Sequence, residues 1–291
     1  VVARIRSGVT RRILSDLAAL AEKDEMMFET FWYQFGMVIK EGLYDAEEHR
    51  AEIFKICRFF STNENRRLTS LDGYIERMKE GQDEIYYILG ENLDSIERSP
   101  QIEGFKARGL EVLYLADTID SFWLQQAGEY KGKKFTSVTK GNIDLKKFEA
   151  TNKTDAPEVP KDEASLTALL AVLSTELKKE VKQVRISNRL TDSPVCLIAD
   201  DSGVDMHMER VLKIQQNYDP VINKKILEIN DGHALIQKLA EMAVANKDAD
   251  SLKDAAHLLY DQARIIQGEP VNDPAGFVKR MAEFMQRGLA A

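Results

Sequence analysis

The sequence of 291 residues is poor in the residues that most often announce a chemistry: it holds two cysteines, four histidines and seven prolines. Cys57 and Cys196 lie far apart, each in an apolar run. They make no disulfide framework, and a reducing cytoplasm is the compartment they fit. No apolar stretch approaches the roughly 18 residues that a membrane span requires, and the opening residues are not expected to act as a signal peptide. Positive charge is not in excess either. Residues 1–150 hold 22 Lys and Arg against 26 Asp and Glu, and the remainder holds 18 against 22. This evenly spread acidity argues against a nucleic-acid partner.

Motifs of catalysis are equally scarce. There is no GxGxxG and no HExxH. "GEYKGKK" has one residue too few between its glycines for a phosphate loop and lacks the final Ser or Thr, so it reads as a solvated basic turn. His49, His207, His233 and His257 stand apart, without Cys, Asp or Glu at ligand spacing. "DDSGVD" does not match the glycine and terminal Glu positions of an EF-hand loop. Cys57 and Cys196 read as small core residues. "YYILGEN" offers a strand, a glycine and a helix start that can face a ligand at a sheet edge, but no catalytic groups converge on it.

What is present is ordinary for a globular protein: 44% hydrophobic and 30% charged residues, at a length that favours about two domains. The chain starts at Val1, and "VVARIRSGVTRRILSDLAALAEKD" reads as a helix already under way, so the sequence is expected to be cut from a longer one. Ile5, Val9, Ile13, Leu14, Leu17 and Leu20 recur there near the helical period. Phe28, Phe31, Trp32, Phe35 and Val38 predict a second helix, and Ile53, Ile56 and Phe59 or Phe60 a third. In "LTSLDGYIERMKEGQ" Ser70 is the expected N-cap, and Asp72 sits in the first turn, where negative charge suits the helix dipole.

The texture then changes. "EIYYILG" predicts a strand. "SPQIEGFKARG" predicts a helix capped by Ser99, with Pro100 at its first position and Gly109 past its end. "LEVLYLAD" predicts a buried parallel strand, and "TIDSFWLQQAGEY" a helix, which completes a βαβα unit. The fold class is thus α/β over residues 1–148, a small αβα layer domain with leading helices. A polar linker with Pro157 and Pro160 covers 149–162. Residues 163–291 follow as an α+β domain that ends in a helical bundle.

Three stretches invite a functional reading. In "SGVDMHMERVLKIQQ", residues 202–216, Val204, Met208, Val211 and Leu212 share one helix face. The acidic, glycine-containing entry favours local mobility, and methionine suits surfaces that accept varied partners. Val204 and Met208 are therefore expected to be exposed, with Val211 and Leu212 leaning toward the domain or a facing protomer; the alternative is that the whole stripe is core. Phe122 and Trp123 are adjacent on a helix and point about 100° apart, so one is expected in the core and the other at least partly exposed, a hint of a binding surface; the alternative is that both pack. The last two helices offer Leu258, Leu259, Ile265, Ile266, Phe277, Met281, Phe284, Met285 and Leu289. That is more apolar surface than a hairpin hides. Pairing two hairpins about a twofold axis buries it, which predicts a homodimer.

Several of these stretches resemble the ninety-kilodalton heat-shock chaperone family in its bacterial form: "FWYQFGMVIKEGLYD", "LTSLDGYIERMKEGQDEIYYILGE", "SPQIEGFKARGLEVLYLADTID" and "RLTDSPVCLIADD". The similarity is collinear from Arg4 to the last helix. The ending "MQRGLAA" lacks the acidic tail of the eukaryotic cytosolic members. The resemblance implies the end of a middle domain, its small αβα part and a C-terminal dimerisation domain. It also implies that the ATP and Mg site and the phosphate-sensing arginine lie outside this chain, which leaves no catalytic, cofactor or metal residue here and no enzyme activity. By the same resemblance, Phe122 or Trp123, with Val204 and Met208, would contact non-native client proteins, and Val211 and Leu212 of the same helix stripe complete the expected client set. The alternative is a purely structural dimerisation module. A self-contained α/β enzyme working near Gly90 fits the resemblance poorly.

Overall fold

The computed structural model describes residues 2–63, 67–141, 143–150, 162–200, 205–214, 224–245 and 248–290. Its elements run in order as α1 (Val2–Lys23), α2 (Glu25–Asp45), α3 (Arg50–Ile56), β1 (Phe60–Ser61), α4 (Leu71–Glu76), β2 (Glu84–Leu89), α5 (Leu93–Glu97), α6 (Glu103–Ala107), β3 (Leu113–Leu115), α7 (Asp120–Gln126), β4 (Glu129–Tyr130) and β5 (Lys133–Ser137). They continue as α8 (Glu163–Glu176), β6 (Gln183–Ile186), β7 (Val195–Ile198), α9 (Met206–Ile214), β8 (Ile226–Ile229), α10 (Ala234–Val244), α11 (Ala249–Ile266) and α12 (Pro274–Ala290). The class is mixed helix and sheet, as the sequence predicts. Two compact units form: Val1–Arg98 with Gly109–Val138, and Ser99–Arg108 with Thr139–Ala291.

The first unit is built on a five-stranded sheet in the order β1-β3-β2-β5-β4. β2 is parallel to both β3 and β5, and the outer strands β1 and β4 are antiparallel. Short polar side chains set the helix starts: Asp24 accepts from Met27 N at 3.0 Å, and Ser70 from Gly73 N at 3.0 Å. The core joins α2, α3 and α7 to the sheet through Phe28, Trp32, Phe54, Ile56, Leu113 and Trp123. Only the second half of α1 packs on it. Leu14 is buried, whereas Ile5, Val9 and Ile13 of the predicted stripe are exposed.

One expected element is corrected. The helix read over 118–130 stops at Gln126, and Glu129–Tyr130 pairs with Lys133–Ser137 as a hairpin. Lys131 (φ 48°) and Gly132 (φ 75°) both lie in the left-handed region, the backbone of a primed two-residue turn whose twist matches the strands. The basic turn expected at "GEYKGKK" is this hairpin's tip.

Tyr74 ties the layers together: its hydroxyl donates to Glu111 O at 2.8 Å and accepts from Tyr86 N at 2.9 Å. Burial raises the Tyr74 pKa strongly and pushes Tyr86 and Tyr114 up to about 12. These phenols keep their protons in the folded chain where the unfolded chain releases them, from pH 10.0 upward. Their contribution is therefore complete below that value and is lost as pH rises toward 12. The urea midpoint is expected to fall across that window, in step with tyrosinate absorbance; a flat midpoint would contradict it.

The second unit carries a three-stranded sheet in the order β6-β8-β7, with β6 parallel and β7 antiparallel to β8. α8, α10 and α11 cover it around Leu169, Leu173, Leu227, Ile229, Ile236 and Leu259. A charged network also lies inside. Glu228, 1% exposed, accepts from Arg189 Nε at 3.0 Å and from Arg185 Nη2 at 2.8 Å. Arg189 donates onward to Lys140 O at 2.9 Å and Arg185 to Gly141 O at 2.8 Å. These bonds, with Ala199 N to Thr139 O at 2.8 Å, hold residues 139–141 in this unit. The division between the units thus falls earlier than the composition suggests; of the expected linker 149–162, residues 151–161 lie outside the described residues.

The stretch Ser99–Arg108 joins the second unit through two clamps. The Glu103 carboxylate accepts from the backbone of Thr191 (2.8 Å), Asp192 (2.9 Å) and Ser193 (3.2 Å) and from the Ser193 hydroxyl (2.5 Å). Gln101 Nε2 donates to Leu197 O at 2.6 Å. Gly104 allows the closest approach, since a Cβ there would stand 2.5 Å from Arg189 O.

Candidate functional site

Among the described residues no group of three or more His, Cys, Asp and Glu is placed to hold a metal, and no helix is long and apolar enough to cross a membrane. Both cysteines are buried free thiols. Burial pushes Cys57 up to about 12 and Cys196 well above the usual thiol value. Each stays protonated near neutrality, unlike a nucleophilic thiolate.

Trp123 is fully buried, which corrects its expected place on a client-facing surface. Its indole N–H donates to Asp120 Oδ1 at 2.7 Å, and its ring meets Phe54 and Phe135 edge-on at 5.7 and 5.3 Å. Asp120 itself is sealed inside and accepts from Lys40 Nζ at 2.9 and 3.0 Å. Burial lowers the Lys40 pKa, but Asp120 and Asp117 outweigh that effect, so the ammonium is held above its usual value. An indole with its N–H satisfied and its faces covered belongs to the fold. Phe122 is the half-buried member of the pair, set edge-on to the exposed Tyr44 at 6.4 Å.

The helix of 202–216 is observed as α9, Met206–Ile214. Met208 is 5% exposed, which corrects its expected exposure. The reason is a set of contacts that no local pattern reveals. Asp205 caps the helix through His207 N at 2.9 Å and accepts from Thr139 Oγ1 at 3.0 Å; Gln101 Nε2 reaches Met206 Sδ at 3.4 Å. Arg210 Nη1 donates to Gln267 O at 2.9 Å, which fixes the helix to the turn after α11. Met206, off the predicted stripe, is buried too, so α9 is covered on two sides. Val211 is half-buried. Val204 lies outside the described residues, and so does the side chain of Leu212.

On the terminal hairpin the expected apolar set divides. Leu258 and Leu259 are buried within the chain, which removes them from any interface. Phe277, Met281 and Phe284 are half-buried, with Phe284 packed on the core of the second unit. Ile265, Ile266, Met285 and Leu289 are exposed, and with them Val278, which sequence reading missed although it lies one residue from Phe277. A second missed surface is on α2, where Met26, Tyr33, Met37 and Tyr44 are all exposed. Their spacings of seven, four and seven residues place them on one face.

Each unit sets helices on a small mixed sheet and carries exposed apolar residues on its helices. A family model described as "Hsp90 protein" matches residues 1–291, and the chain belongs to that family. The individual relatives carry the name "Chaperone protein HtpG". That of Roseobacter denitrificans is 46% identical over 290 residues, covering 99% of this chain and 46% of the relative. That of Paramagnetospirillum magneticum is 45% identical over 292 residues, again 99% and 46%. That of Gluconobacter oxydans is 44% identical over 287 residues, 98% and 44%. The chain thus spans about half the length of the curated relatives it matches.

Proposed function

We propose that this chain is the part of a cytoplasmic, ATP-dependent chaperone that pairs two protomers and contacts non-native client proteins. Residues 1–148 correspond on this reading to the end of a middle domain and 163–291 to a dimerisation domain. Nucleotide and Mg are handled elsewhere in the longer protein. One observation carries the pairing: the exposed run of Ile265, Ile266, Val278, Met285 and Leu289 on a terminal hairpin. Each such side chain gains about 1.5–3 kcal/mol when fully buried, and two hairpins about a twofold axis bury them together. Phe122 and Val211, half-buried, are the client contacts this reading retains.

Light scattering on the chain at micromolar concentration is expected to give a dimer mass, and Met285→Asp a monomer whose thermal midpoint is lowered and no longer depends on protein concentration. Phe122→Ser is expected to weaken suppression of a model client's aggregation with a stability loss far smaller than that of a core substitution. A monomeric wild-type chain refutes the pairing, and micromolar ATP binding by calorimetry refutes the division of labour. The burial of Met208 and Trp123 favours a second reading, a structural dimerisation module without client contact. A dimer that fails to suppress aggregation would select it.

A further inference from the structure

The first unit holds a groove of about 310 Å³ beside the C-terminal ends of β2 and β3, opposite α2. Its walls are aromatic: Trp32, Tyr33, Phe60 and Tyr114 line it. Tyr33 is 58% exposed, and its ring stands 6.3 Å from that of Phe60. Gly36 opens the space. A Cβ there would lie 2.7 Å from the Trp32 ring, so the indole rests directly on the helix backbone. A glycine is unfavourable in the middle of a helix, and here it gives the groove its wall.

The charges around the groove decide what it can hold. Two cations line it, and the fold engages both. Lys40 Nζ bonds Asp120 at 2.9 Å and Asp117 at 2.8 Å. Arg58 Nη1 donates to the carbonyls of Cys57 at 3.0 Å and Ile56 at 3.2 Å, and its guanidinium lies 4.8 Å from the centre of the Phe28 ring. Arg58 is thus spent on carbonyls and a ring face, and Lys40 is matched by two carboxylates. One of them is open to a ligand: Asp117 spans Lys40 with Oδ2 and keeps 40% of its side chain exposed.

We infer that this groove is a binding site for a basic side chain, an arginine carried on a polypeptide segment. Aromatic faces attract a planar cation, and the exposed Asp117 carboxylate gives it a charge-assisted hydrogen bond. The proposal goes beyond the pairing and client reading and does not rest on it. The exposed stripe of Met26, Met37 and Tyr44 on the same helix would take apolar neighbours of that arginine.

The test uses the full chain and three blocked nonapeptides of leucine, serine and alanine whose central residue is arginine, citrulline or glutamate. Binding is read from the indole N–H signal of Trp32, which is assigned with Trp32→Phe. The arginine peptide is expected to shift it, with citrulline weaker by about tenfold or more, the value of one charge-assisted bond. Asp117→Asn is expected to bring the arginine peptide down to the citrulline level. Tyr33→Ala, at an exposed position, is expected to weaken binding without disturbing the fold, and so covers a failure of Asp117→Asn to fold. Equal affinity for arginine and citrulline, tighter binding of the glutamate peptide, or no shift at millimolar peptide would each overturn the proposal.

Discussion

Trp123→Ala is expected to lower the stability of the first unit by about 3–5 kcal/mol, the cost of emptying a large core site. The indole is 0% exposed and is the centre on which Phe54, Phe59 and Phe135 converge. Its loss also removes the N–H that Asp120 accepts at 2.7 Å, and leaves a buried carboxylate with fewer donors. Such a group costs more when a partner goes than the bond itself contributes. Phe122→Ala, one residue away, touches a half-buried ring and is expected to cost far less. Urea denaturation of the two variants separates them. If Trp123→Ala left the midpoint in place while client suppression fell, the indole would be a contact surface after all.

Glu228→Ala is expected to be comparably severe in the second unit. Glu228 and Arg189 are 1% and 0% exposed, and Arg185 shares the same carboxylate. Removing one member of a buried ion pair strands the other charge, typically at about 3–5 kcal/mol. Here two guanidiniums are stranded, and both also donate to the carbonyls of residues 140 and 141. Glu228→Gln keeps the shape and part of the hydrogen bonding and is expected to fall between wild type and alanine. Both tryptophans belong to the first unit, so amide exchange over β6, β7 and β8 is the appropriate reading. Unchanged protection there would show that the network is not needed.

Much of this architecture was legible because its signals are local. Ser70 and Ser99 cap helix starts as the sequence suggests, with Ser99 opening a turn of 3-10 helix at Pro100. The apolar runs at 84–89, 113–115, 195–198 and 226–229 are strands. The hairpin of β4 and β5 was hidden because its turn uses a lysine at φ 48° in place of the usual Asn or Asp. The burial of Trp123 and Met208 was hidden for a different reason. Both depend on partners far along the chain: Lys40, 80 residues from Asp120, and Thr139, 66 residues from Asp205. Helical periodicity identifies an apolar face but not what covers it, so the terminal hairpin was read as one surface although Leu258 and Leu259 turn inward.

The clamp on Glu103 also bears on the order of events during synthesis. Its partners lie 88 to 90 residues downstream, and the acceptor of Gln101 lies 96 downstream. At a translation rate of about 5–20 residues per second, Ser99–Arg108 waits roughly 5–20 s for them. During that interval it is a tethered segment whose flanks, Arg98 and Gly109, already belong to the first unit. The first unit therefore has to close its sheet, with β2 before this segment and β3 after it, around a loop that is not yet docked. A nascent chain arrested before Thr191 emerges is expected to expose residues 99–108 to protease while β2 and β3 are already protected.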